Sequence, residues 1–131
     1  MNEELQKNNE AVIREMLKAW ESLDVDAIMA FMSDDVIAQF HEGAPESQGK
    51  DALNTELSTL FDGCKLCKIE VKDCYSNGAV VVTQRDDRMD LVKDGKPTNF
   101  RFECTGVYRL KDGKICSWRD TAFPGGILKM K

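Results

Sequence analysis

Asn77-Gly78, Asp94-Gly95 and Asp112-Gly113 divide the second half of the chain into runs of similar length. An Asx-Gly pair tolerates the positive φ of a tight hairpin, so each reads as a reversal between antiparallel strands. The runs between them alternate. Phe100, Phe102, Cys104, Gly106, Tyr108 and Leu110 share one parity; Asn99, Arg101, Glu103, Thr105, Val107 and Arg109 share the other. Such a strand has one covered and one mostly wet face. The covered face needs a partner layer, and the first half of the chain supplies it.

Val12, Ile13, Met16, Leu17, Trp20 and Leu23 recur at helical spacing, with Asn8 or Asn9 placed to cap the helix. Asp24 heads a second helix carrying Ala27, Ile28, Phe31 and Met32, ended by Ser33-Asp34-Asp35. Val36 to Phe40 reads as a short strand and 41–49 as a Gly- and Pro-containing loop. Asp51 to Phe61 forms a third helix, stopped by Asp62-Gly63. The predicted order is α-α-β-α-β-β-β-β. It describes an α+β domain, with three helices from the first half packed on one face of a strongly curved, mostly antiparallel sheet. Nothing in the 131 residues marks a repeat, a low-complexity tract or a linker. One domain over 1–131 is expected, with its core over about 9–123 and short tails.

The net charge of −5 and pI near 4.9 give no basic footprint, so neither a nucleic-acid partner nor an acidic membrane surface is expected. No apolar run approaches the roughly 18 residues of a spanning helix. The start, Met1-Asn2-Glu3-Glu4, is unlike a signal peptide. Five cysteines (Cys64, Cys67, Cys74, Cys104 and Cys116) are an odd count and read as free thiols of a reducing, cytoplasmic setting. Cys64-Lys-Leu-Cys67 leads into a strand-like run and His41 is the only histidine, so neither a zinc site nor a redox helix is expected; metal, none. The methionines Met16, Met29, Met32 and Met89 read as gap-fillers.

Parity exposes one anomaly. From Ala79 to Leu91 one face carries Ala79, Val81, Thr83, Arg85, Asp87, Met89 and Leu91, while the other is mostly polar. Arg85 and Asp87 thus stand among apolar residues. The last strand repeats this: Cys116, Trp118, Asp120 and Ala122 share a face. Ionised groups in a covered layer are paired or line a wet cavity. A guanidinium can fork to both carboxylates, and two acids held unequally supply an acid and a base. A structural ion-pair network fits the same pattern, and both readings stand.

Thr83-Gln84-Arg85-Asp86-Asp87 followed by Trp118-Arg119-Asp120 resembles the limonene-1,2-epoxide hydrolases, of the cone-shaped NTF2-like (SnoaL-like, ketosteroid-isomerase-like) fold. The similarity extends through Ala19-Trp20-Glu21-Ser22-Leu23-Asp24, Ser33-Asp34-Asp35 and Gly49-Lys50-Asp51-Ala52. The resemblance implies Asp120 as the base acting on water and Asp87 as the acid at the epoxide oxygen. Arg85 would bridge them. It implies one-step hydrolysis to a diol without a cofactor, a small apolar molecule as substrate, and a homodimer. The family's water-holding Tyr-x-Asn is absent from Ala38-Gln39-Phe40-His41-Glu42, which leaves Gln39, His41 and Glu42 as candidates for that role or for an alternative base. Trp20, Phe31, Phe40, Phe102, Tyr108 and Trp118 are the candidate pocket lining. The rival functions are a ketosteroid-isomerase-like or polyketide-cyclase-like isomerase using Glu42 or His41, and a non-catalytic ligand-binding or dimerisation module.

Overall fold

Helix α1 spans Asn2–Trp20 and buries Ile13, Met16, Leu17 and Trp20, one stripe at helical spacing. The computed structural model describes residues 2–41 and 43–130, with side chains described over 3–41 and 43–122. The helix begins well before Asn8 and Asn9, so neither caps it. Asn9 is buried in mid-helix, where its Nδ2 donates to the Gly78 carbonyl at 3.3 Å and ties the helix to a hairpin.

Asp24 does cap α2 (Val25–Met29): its carboxylate accepts from the backbone N–H of Asp26 and Ala27. That helix is shorter than its apolar spacing predicts. Met32, expected on it, instead opens strand β1 (Met32–Gln39), and Ser33-Asp34-Asp35 lie within the strand rather than at a helix end. The reason is tertiary. Met32 pairs with Ile115, and the Ile115 N–H donates to the Phe31 carbonyl, which pulls this segment into the sheet. The 41–49 segment holds one short strand, β2 (Ser47–Gln48), paired with β1. Helix α3 covers Lys50–Phe61 and buries Leu53 and Leu57.

Strands β3 (Cys64–Asn77), β4 (Val80–Lys93), β5 (Lys96–Lys111) and β6 (Lys114–Met130) follow as three hairpins. Asp94-Gly95 and Asp112-Gly113 have positive φ at both residues, the mirror-image turn that matches strand twist. The first turn differs. Asn77 pairs with Val80, which leaves Gly78-Ala79 as the central pair with only Gly78 at positive φ. The sheet order is β2-β1-β6-β5-β4-β3, antiparallel except where β1 runs parallel to β6. Three helices thus cover one side of a curled, mostly antiparallel six-stranded sheet.

Two of the sheet's register shifts change which side chains face inward. One between Cys64 and Leu66 lets both Cys64 and Cys67 turn into the core, although alternation alone would separate them. Burial pushes the Cys67 thiol up to about 12, so it is inert at neutral pH. The other lies near the start of β6, where Leu110 pairs with Ile115 but Arg109 with Ser117. Cys116, assigned by parity to the covered face, falls in this irregularity and is half-buried, while Ile115 takes the core position.

Candidate active site

Arg85, Asp87 and Asp120 meet on the covered face, their side chains 2%, 15% and 10% exposed. Arg85 and Asp87 come from β4 and Asp120 from β6, so the guanidinium must cross the intervening strand β5. It does so over Gly106, which pairs with Thr83 on one side and Asp120 on the other. A Cβ at Gly106 would lie 2.5 Å from Tyr108 Oη and 2.6 Å from Arg85 Nη1. The missing side chain is the space the guanidinium occupies. In the sequence Gly106 is only one member of the inward-facing row of β5, yet a glycine inside a strand does mark a close approach.

A guanidinium carries five N–H donors, and Arg85 uses all of its own. Nε donates to Asp87 Oδ1 at 3.2 Å and Nη2 to Asp87 Oδ2 at 2.8 Å. Nη1 and Nη2 reach Asp120 Oδ1 and Oδ2 at 3.0 and 2.9 Å, a second fork. The remaining Nη1 donor goes to Tyr108 Oη at 2.5 Å, and that hydroxyl also bonds Thr83 Oγ1 at 2.9 Å. Cys104 Sγ lies 3.0 Å from Nη2 and donates to Asp87 Oδ2 at 3.5 Å. The Trp118 indole N–H donates to Asp120 Oδ1 at 2.7 Å.

Electrostatics follow from these contacts. Burial disfavours charge on Arg85, but the Asp120 and Asp87 carboxylates outweigh it and hold the guanidinium charged well beyond its ordinary range. Burial pushes the Asp120 carboxyl up, against the opposing pull of Arg85 and the Trp118 N–H. Burial also pushes the Tyr108 hydroxyl and Cys104 thiol up, so both stay neutral donors. One arginine and two carboxylates are neutral overall when the pair holds one proton.

The cluster opens into a cavity of about 220 Å³. A cavity near 150 Å³ holds benzene, so this one has room for a molecule somewhat larger than a single ring. Trp20, Phe40, Leu60, Ile69, Met89, Phe102, Trp118 and Ala122 form its apolar wall, with His41 also lining it. Of the expected lining, Trp20, Phe40, Phe102 and Trp118 are there. Tyr108 is not: it is fully buried behind Arg85 and braces it. Phe31 is not either, because it packs against the core where its carbonyl anchors Ile115. Gln39 alternates away from inward-facing Ala38. Its amide donates to the Ala44 carbonyl at 2.8 Å and accepts from Arg119 Nη1 at 3.1 Å. Arg119, facing outward, also holds Glu46, so it organises the 41–49 segment rather than the centre. Glu42 lies outside the described residues. Among the described residues, no three His, Cys, Asp or Glu side chains are grouped as a metal ion requires.

Comparison with known proteins agrees with this architecture. A family model described as a SnoaL-like domain matches residues 13–118. Epoxide hydrolase EphG of Mycobacterium tuberculosis (strain ATCC 25618 / H37Rv) is 26% identical over 108 residues, which cover 82% of this chain and 68% of that protein. The structure of an M. tuberculosis LEH-like epoxide hydrolase superposes with TM-score 0.79 at 22% identity, covering 92% of this chain and 86% of that one. The epoxide hydrolase/cyclase-like enzyme SalBIII, of pyran ring formation in polyether salinomycin, superposes with TM-score 0.84 at 20% identity, over 97% and 98% of the two chains. These structural likenesses establish the cone-shaped fold.

Proposed function

The chain belongs to the SnoaL-like domain family, and within it we propose that this protein opens an epoxide on a small apolar molecule with water, giving a vicinal diol. The observation that carries this reading is the double fork of Arg85 onto Asp87 and Asp120 at the edge of an apolar cavity. Asp120 takes a proton from water, and the water oxygen bonds to one ring carbon. The C–O bond of that carbon breaks, and Asp87 donates its proton to the departing oxygen. The pair then exchanges a proton to reset. Burial makes Asp120 a stronger base than a free aspartate, which favours proton abstraction near neutral pH. Arg85 fixes both carboxylates and stabilises the charge that moves between them. The apolar wall excludes competing water. No cofactor takes part.

His41, on the cavity wall, is the residue we place beside the attacking water. The same centre would cyclise a substrate whose own hydroxyl stands where water otherwise enters. The likeness to a hydrolase/cyclase-like enzyme favours this as the second reading. We further propose that one domain spanning 1–131 pairs with a second copy through the outer sheet face. There Tyr75, Val82 and Val107 lie in one row across three strands, with Tyr75 58% and Val107 42% exposed. A cytoplasmic setting fits free cysteines. Among the described residues, no helix is long and apolar enough to cross a membrane.

Single turnover in ¹⁸O-labelled water tests the one-step mechanism. With enzyme in excess, the first diol formed is expected to carry the label. An unlabelled first product would mean that a carboxylate oxygen attacked instead, and the proposed roles would fall.

A further inference from the structure

Cys104 is buried on β5, where it pairs with Arg85 of β4. Cys64 and Cys67 belong to the hydrophobic core, whereas Cys104 lines the cavity and touches two members of the charged centre. Its Sγ lies 3.0 Å from Arg85 Nη2. Both Nη2 hydrogens already reach carboxylate oxygens, one on Asp87 and one on Asp120. The sulfur is therefore not needed there as an acceptor. What it adds is its own S–H, directed to Asp87 Oδ2 at 3.5 Å. A thiol is apolar enough for this wall and still a weak donor. The proposed reaction gives it no part.

A carboxylate has about four lone-pair sites, two on each oxygen. Among the described residues, Asp87 Oδ2 meets two donors, Arg85 Nη2 and the Cys104 thiol, while Oδ1 meets only Arg85 Nε. Asp120 is held in the same way: Oδ1 meets Arg85 Nη1 and the Trp118 indole, while Oδ2 meets only Arg85 Nη2. Each acid thus keeps one open site. The Nε contact to Asp87 Oδ1, at 3.2 Å, is also the longest of the four bonds in the double fork, as suits an oxygen that carries a proton. We infer that Cys104 is a positioning residue: its S–H closes the second site of Asp87 Oδ2 and so keeps the transferable proton on Oδ1. The inference rests on the reading of Asp87 as the acid and deepens it to a named atom. Without the thiol the proton can reside on either oxygen, and an acid protonated on Oδ2 presents the wrong edge to the departing oxygen.

Two variants test this. Cys104→Ala removes the donor, and Cys104→Ser keeps one in a similar volume, so the pair separates donation from packing. The rate of a single turnover of a terpene epoxide, with enzyme in excess, reads the chemical step, and KM is measured beside it. Cys104→Ala is expected to slow the single turnover about three- to tenfold, with KM within about twofold of wild type. Cys104→Ser is expected to return to within about twofold of the wild-type rate. Infrared spectra give a readout independent of activity. The chain has five cysteines, and subtracting the spectrum of either variant from that of wild type isolates the S–H stretch of Cys104. That band should lie below the frequency of a thiol without an acceptor. The same subtraction in an Asp87→Asn background should show it moved. An unchanged rate in Cys104→Ala, equal slowing in both variants, a band at the free-thiol frequency, or a band unmoved by Asp87→Asn would each overturn the inference. If wild type opens no epoxide but the band is low and follows Asp87, the thiol's hold on Asp87 stands and the hydrolase reading falls. Turnover that is indifferent to Cys104→Ala has the opposite meaning.

Discussion

Replacing Gly106 with alanine adds one carbon at the point where Arg85 crosses β5. That carbon would lie 2.5 Å from Tyr108 Oη, 2.6 Å from Arg85 Nη1 and 2.8 Å from Tyr108 Cζ. Comfortable contact needs about 3.5 Å, so both groups must withdraw by close to an ångström. Neither has room. Tyr108 is fully buried and bonded to Thr83, and Arg85 has every donor engaged. Overpacking alone costs about 1–3 kcal/mol, and weakening one charged hydrogen bond at Nη1 adds about 1.5–3 kcal/mol. A destabilisation of about 3–5 kcal/mol is expected, measured by urea unfolding. A misplacement of about 1 Å at a catalytic pair lowers turnover by about a hundredfold. Truncating the nearest clashing atom should relieve part of this. The Gly106→Ala/Tyr108→Phe double variant is expected to lose less stability than the two single variants together. A Gly106→Ala protein with wild-type stability and turnover would refute the idea that this glycine makes the passage for Arg85.

Arg85→Gln leaves two buried carboxylates without their cation; a loss of about 3–5 kcal/mol by chemical denaturation is expected, together with loss of turnover. The acid limb of kcat/KM reports protonation of Asp120: activity falls as pH drops through its pKa. Because burial raises that pKa, the limb should lie above the roughly pH 4 of an ordinary aspartate. Trp118→Phe removes a donor that favours the ionised form, so a pH–rate profile should show the limb moving to still higher pH. Gly63 has φ +84°, and a Cβ there would strike the Val92 carbonyl oxygen, whose N–H bonds back to Gly63; Gly63→Ala should lower stability by about 2–4 kcal/mol in thermal melts without changing the cavity.

Most of the sheet could be read from local rules. Asx-Gly turns and period-two alternation place β4 and β5, and parity alone puts Arg85, Asp87 and Asp120 on the covered face that the structure brings together. Features that depend on distant partners could not be read this way. Asn9 has the chemistry of a cap, but its partner is the Gly78 carbonyl in a turn far along the chain. Ser33-Asp34-Asp35 carries a helix-ending composition, yet pairing of Met32 with Ile115 makes it strand. Bulges shift parity without a clear mark in sequence, which is why parity puts Cys116 on the covered face although Ile115 fills the core position. Gly106 was visible as an inward-facing glycine. Only the crossing guanidinium shows why it is there.

The most direct test of Asp120 as the base is diol formation by wild type and Asp120→Asn on a panel of terpene and aryl epoxides, with folding of the variant checked by its thermal melt. Wild type is expected to form diol, and the folded variant to lose about 10³-fold or more, because the amide cannot take the proton from water. Turnover that survives in Asp120→Asn would contradict the role given to the double fork on Arg85.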